Sequence, residues 1–102
     1  MTQPVNIDIQ NMRLKARNAV SLLKAVSNEN RLLVLCHLGQ GELSVTELNT
    51  RIDLSQSALS QHLAKLRQDG LVQTRRESQT IYYSLASPEA ARLIEFLHSE
   101  FC

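Results

Sequence analysis

The chain has 102 residues, of which 43% are hydrophobic and 21% charged, the profile of one small folded domain and not of a disordered chain. Aromatic content is only 4% with no Trp, so a core must be built from Leu, Val, Ile and Ala. A net charge of +1 excludes a strongly basic protein, and the longest apolar run, Leu32 to Cys36, is far too short to span a bilayer.

The opening "MTQPVNIDIQ" lacks the basic-then-apolar layout of a secretory signal, so a cytoplasmic protein without membrane association is expected. Residues 1–9 read as a flexible leader and residues 10–102 as a single domain. From about Asn11 to Val26, Met12, Ala16, Ala19, Val20, Leu23 and Val26 form an apolar helical stripe. Ser27 is a good N-cap for a second helix, about Asn28 to Leu38, closed by Gly39 and Gly41. That helix is apolar nearly all round, as a central buried helix should be.

The stretch "SVTELNTRI" offers a capping box, with Ser44 and Glu47 satisfying each other's backbone N–H groups. Its short helix ends near Ile52. Ser55 then caps the helix of "LSQSALSQHLAKLRQDGLV", and Gly70 stops it. Two short helices so closely joined have the spacing of a helix-turn-helix. Ile81, Tyr83 and Leu85 alternate with Tyr82 and Ser84 as a half-buried strand. Leu71 to Arg75 can pair with it across a polar turn around Glu77 to Gln79. Without Asn-Gly or Asp-Gly, a looser turn than the tightest hairpin is expected. Ser87 and Pro88, as N-cap and N1, open a last helix with Leu93, Ile94, Leu97 and Phe101 on its apolar side. The fold expected is mainly α with a small β-hairpin: a winged helix-turn-helix whose wing is "TRRESQT".

The helix after Ser55 carries the most specific signal. Leu59, Leu63 and Leu66 make one buried stripe. At about 100° per residue, Ser57, Ser60, Gln61, Ala64 and Gln68 fall opposite, with Lys65 at the edge. A solvated face usually carries Glu and Lys, whereas this one carries Ser and Gln and almost no acid. From Ser55 to Arg76 four bases (Lys65, Arg67, Arg75, Arg76) stand against one acid, Asp69, a bias that suits phosphate. A helix fits the DNA major groove, and Gln56 or Gln61 can bond bidentately to adenine. Ser55, Ser57 and Ser60 let the backbone come close, and Lys65 can neutralise a phosphate. Arg75, Arg76 and Gln79 would serve the wing. His62, about 60° off the apolar stripe, is a candidate DNA contact or a helix-packing residue. The whole face also suits a winged-helix protein-interaction module that never touches DNA.

These motifs, from "SNENRLLVLCHL" through "LSQSALSQHLAKLRQDGLV" to "IYYSL", resemble the ArsR/SmtB family of winged-helix repressors over nearly the whole chain. The resemblance is strongest to its persulfide-sensing, BigR/SqrR/HlyU-like branch. It implies a homodimer whose first and last helices build most of the interface, bound to double-stranded DNA at an imperfect palindromic, A·T-rich operator. The sequence adds that these two helices have broader apolar faces than one small core absorbs.

Cys36 and Cys102 are the only cysteines. In a reducing compartment a lone pair is rarely a structural disulfide, and Cys36 shares a face with Leu32 and Leu35, where packing alone explains it. The resemblance gives them a further role. The sulfur-sensing branch keeps one Cys on the second helix and one near the end of the last, and Cys36 and Cys102 match those positions. It implies redox sensing, with reactive sulfur species or oxidants as inducers. Metal-sensing relatives use a Cys motif before the recognition helix, where "ELNTRI" has neither Cys nor His, or Asp and His pairs on the last helix, where the pattern is also broken. No cofactor or resident metal is expected. The alternative is a metal-responsive repressor that uses Cys36, His98 and Cys102. The three glycines form no phosphate-binding loop, and Cys36 and His37 diverge by about 100° on a helix and cannot pair as nucleophile and base, so no enzyme is expected.

Overall fold

The computed structural model describes residues 8–101. The first helix, α1 (Ile9–Val26), begins two residues before the expected start, because the Asp8 side chain caps it by accepting from the Gln10 N–H at 3.1 Å. Ile9 therefore belongs to the helix and not to a leader; residues 1–7 lie outside the described residues. Of the expected stripe only Val26 is buried, together with Ala25, while Met12 and Leu23 are 57% and 51% exposed.

The second helix, α2 (Glu29–Leu38), is capped by Asn28 and not by Ser27. Asn28 has extended backbone, and its Oδ1 accepts from the N–H groups of both Asn30 and Arg31 at 3.0 Å. Two orphan donors are thereby satisfied. The Ser27 hydroxyl turns back to donate to the Leu23 carbonyl. Arg31 ties the two helices together, since its Nε donates to the Ala25 carbonyl at 2.7 Å at the end of α1. Val34, Leu35 and Leu38 are buried, but Leu33 is 41% exposed, so α2 is not apolar-buried all round as expected.

A short strand not expected from the sequence, β1 (Leu43–Ser44), precedes α3 (Val45–Arg51). The capping box is present: the Ser44 N–H donates to Glu47 at 2.8 Å, and the Glu47 N–H donates to the Ser44 hydroxyl at 3.1 Å. The Ser44 backbone N–H, then its hydroxyl, hold the Glu47 carboxyl below its ordinary pKa. The turn into α4 (Gln56–Gln68) is fixed by the Asn49 side chain, which donates to the Leu54 carbonyl at 2.9 Å. Ser55 caps α4, accepting from the Ala58 N–H. The far end of α4 closes as a Schellman motif: Leu71 donates to the Leu66 carbonyl and Gly70, at φ +78°, to that of Arg67. Glycine is favoured there because its backbone is left-handed.

The hairpin joins β2 (Val72–Glu77) to β3 (Thr80–Leu85), and β1 pairs on the other side of β3, giving an antiparallel sheet in the order β1-β3-β2. Its turn is the tight two-residue form and not the looser one expected, with Glu77 opposite Thr80 and Ser78 at φ 58°. That is the first central position of a type II′ turn, where the strand twist demands positive φ even without a glycine. The last helix, α5 (Pro88–Phe101), starts as anticipated with Ser87 accepting from the Ala90 N–H. One core gathers Val34, Leu35, Leu48, Leu59, Leu63, Leu66, Val72 and Ile94, with Ala25 and Val26 from the end of α1 and Leu43 from β1, while Tyr83 and Leu85 of β3 pack against it. Among the described residues no helix is long and apolar enough to cross a membrane.

Candidate nucleic-acid interface

Helix α4 is held by Leu59, Leu63 and Leu66, each at most 1% exposed, and the opposite face is thereby fixed outward. Ser55, Gln56, Ser57, Ser60, Gln61 and Lys65 are all exposed. The first turns of α2, α3 and α5 carry Glu29, Glu47 and Glu89, whereas that of α4 carries no acid. The positive end of its dipole is therefore not offset by an acidic side chain in its first turn. His62 is half-buried at the border of this face. Lys65 lies 3.6 Å from Asp69 in an i,i+4 pair and also borders a groove beneath α1.

The wing holds Arg75, Arg76 and Gln79, all exposed, but not in equivalent settings. Side chains alternate along a strand, so the register puts Arg75 beside Tyr82 on one face and Arg76 beside Ile81 on the other. The Arg75 guanidinium donates through Nε and Nη2 to the two Glu42 oxygens at 2.8 and 2.9 Å, and Nη1 lies 3.3 Å from Glu77. It also covers the Tyr82 ring at 4.6 Å from the centroid. The Glu42 hydrogen bonds, and after them that of Glu77, hold its proton more tightly than in an ordinary arginine. Nothing in the sequence singles out Glu42 or Tyr82 for this role; the one available signal is an acid directly before the apolar–Ser pair that forms β1.

Cys36 is half-buried and packs against the core. It also lines an open cavity of about 360 Å³ between α2 and α5, with Gln40, Arg92, Glu95 and His98. Gln40 Nε2 lies 3.2 Å from His98 Nε2, a contact in which the amide donates when the ring proton sits on Nδ1. The helices approach closely because residue 39 is glycine: a Cβ there would stand 3.2 Å from Ile94 Cγ2. Cys102 lies outside the described residues, so neither the Cys36–Cys102 pair nor the Cys36, His98 and Cys102 set has a described geometry. Among the described residues no group of three or more His, Cys, Asp or Glu is placed to hold a metal ion.

Comparison with known proteins agrees with this architecture. Residues 28–74 match the family described as bacterial regulatory protein, arsR family. The chain is 55% identical over 96 residues to the transcriptional activator HlyU of Vibrio cholerae, covering 94% of this chain and 89% of that one. It is 46% identical to the biofilm growth-associated repressor of Agrobacterium fabrum, covering 94% of this chain and 82% of that one. The structure of reduced HlyU from Vibrio cholerae superposes with a TM-score of 0.87 at 57% identity, over 91% of this chain and 98% of that one. The recognition-helix geometry and these relatives lead to one conclusion: the chain belongs to the arsR family of bacterial regulatory proteins and is a DNA-binding transcriptional regulator, not an enzyme.

Proposed function

We propose that this regulator binds a palindromic operator as a homodimer in the cytoplasm, and that thiol chemistry at Cys36 and Cys102 releases it. The observation that carries the DNA contact is the exposed, acid-free Ser and Gln face of α4, set on three fully buried leucines. Ser55, Gln56, Ser57, Ser60 and Gln61 meet the major groove, Lys65 a flanking phosphate, and the wings the neighbouring backbone. His62 borders the contact.

The dimer is supported by apolar surface that the chain does not cover itself. Met12 and Leu23 on α1, and Phe96 and Phe101 on α5 (58% and 81% exposed), lie in water in the single chain, an arrangement typical of an interface. Two α4 helices then enter half-sites about one turn apart, roughly 34–36 Å, and small changes in the dimer spoil that spacing.

The sensor reading is supported by Cys36 on the wall of the α2–α5 cavity and by the reduced state in which the Vibrio cholerae relative was described. A cysteine thiolate attacks the outer sulfur of a persulfide RS–SH, forming Cys–S–SH and expelling RS⁻. The second cysteine thiolate then attacks the inner sulfur, closing a disulfide and expelling HS⁻. Two thiolates are oxidised and one persulfide is reduced. If both cysteines are persulfidated first, closure leaves a trisulfide and again expels HS⁻. Either bridge joins α2 to the end of α5 and so pulls on the dimer interface. The relatives include an activator and a repressor; release from DNA serves either sense, depending on what the bound dimer blocks.

The test has two parts. Footprinting of reduced protein on the gene's own upstream region should give a protected palindrome, and intact mass after polysulfide treatment should show either two hydrogens lost or a retained bridging sulfur. Absence of protection sinks the DNA contact; treated protein of unchanged mass, or modified at only one cysteine, sinks the switch.

A further inference from the structure

The wing carries two adjacent arginines, and the sheet sets them to different work. Gln73, Arg75 and Glu77 share one face of the hairpin with Thr80, Tyr82 and Ser84, while Val72, Thr74 and Arg76 share the other with Ile81, Tyr83 and Leu85. Val72 is buried in the core, so Arg76 extends, toward the wing tip, the face on which the helices pack.

We propose that Arg75 is a wing-positioning residue, locked between Glu42 and Tyr82, and that Arg76 is the cation through which the wing meets the DNA backbone. This rests on the reading that α4 and the wing bind duplex DNA. Both Glu42 oxygens are taken by one guanidinium at 2.8 and 2.9 Å, the bidentate geometry that gives arginine–carboxylate pairs their directionality. The same guanidinium lies over Tyr82 and reaches Glu77. A network of this kind holds a side chain far better than an isolated surface pair.

Its consequence follows the chain. Glu42 leads directly into β1, and Ser44 of β1 caps α3. The Arg75–Glu42 pair therefore ties the hairpin, across 33 residues of sequence, to the start of the first helix of the helix-turn-helix. Added to the pairing of β1 with β3, it restrains the angle between wing and recognition helix. Turning the Nε–Nη2 edge of Arg75 to a phosphate would take it from both oxygens of Glu42 and expose that carboxylate beside an anionic backbone, while its Nη1 is directed at Glu77. Arg76 is exposed and faces no such cost.

The test is equilibrium binding to the operator duplex over a range of salt concentrations, with melting curves to verify that each variant folds. Glu42→Gln and Arg75→Lys should each weaken binding by roughly threefold to tenfold over the two wings, the scale of a lost, partly exposed pair. They should leave the slope of log K against log salt unchanged, and the double variant should bind no worse than the weaker single one. Arg76→Ala should lower the slope by about 2 for a dimer, near 0.9 per phosphate contact, and Arg76→Lys should restore it. If Arg75 itself held a phosphate, Glu42→Gln would remove a repelling anion and tighten binding, and Arg75→Lys would bind nearly as wild type. Either result, or an Arg76→Ala slope equal to wild type, overturns the assignment. A wild-type protein that binds no duplex overturns the DNA reading itself, and this assignment with it.

Discussion

Gln40 Nε2 stands 3.2 Å from His98 Nε2, so a polar contact joins the end of α2 to the last turns of α5 beside Cys36. A strain applied between Cys36 and the end of α5 acts across this contact. If the switch is thiol chemistry, His98→Ala protein should still bind operator when reduced and should still be released by polysulfide, with or without a chelator. A metal site built on Cys36, His98 and Cys102 needs the imidazole as a ligand. Loss of the response in His98→Ala, or in wild type treated with chelator, would favour that metal reading.

The proposed α4 contact separates reading from holding. Gln61→Ala should cost about 1–3 kcal/mol of discrimination at one base position with an unchanged salt slope. Lys65→Ala should weaken all sequences alike and reduce the slope, though its pairing with Asp69 at 3.6 Å limits the loss. Binding measured on the operator and on single-base variants tells the two apart. Equal losses on every duplex for Gln61→Ala would mean that this side chain reads nothing.

The uncovered faces of α1 and α5 predict how the dimer fails. Leu23 and Phe96 are 51% and 58% exposed in the single chain, so Leu23→Asp and Phe96→Asp should leave the fold intact and displace the equilibrium toward monomer. Sedimentation velocity at low micromolar concentration reads this directly. A dimer that survives both substitutions would move the interface elsewhere.

The wing turn contains a conformational cost that one substitution removes. Ser78 sits at φ 58°, where an L side chain is disfavoured by about 1–2 kcal/mol, against a glycine entropy cost of roughly 0.5–1 kcal/mol. Ser78→Gly should therefore stabilise the domain by up to about 1 kcal/mol in urea unfolding. Destabilisation would mean that the Ser78 side chain makes a contact worth more than its strain.

What could be read in the sequence was local. The stripe of Leu59, Leu63 and Leu66 and the caps at Ser44, Ser55 and Ser87 each depend on residues within one or two turns, and the structure places them as expected. Asn28 displaced Ser27 as the cap of α2 because both are good caps and only geometry chooses between them. The strand β1 has two residues and exists through pairing with Tyr82 and Tyr83, so no periodicity could announce it. The turn at Ser78 is set by hairpin register, which overrides turn propensity. The candidate DNA face was legible because three leucines fix where its opposite side points. The role of Arg75 was not, because its partner lies 33 residues away. The apolar stripe of α1 was visible, but most of what covers it is not in the single chain.

Whether thiol chemistry at Cys36 releases the DNA is decided by fluorescence anisotropy of a labelled duplex from the gene's upstream region, titrated with reduced and with polysulfide-treated protein, wild type and Cys36→Ser. Reduced wild type should bind, treatment should release it, and Cys36→Ser should bind whether treated or not. Treated wild type that binds as tightly as reduced, or Cys36→Ser protein that is still released, would contradict a switch at Cys36.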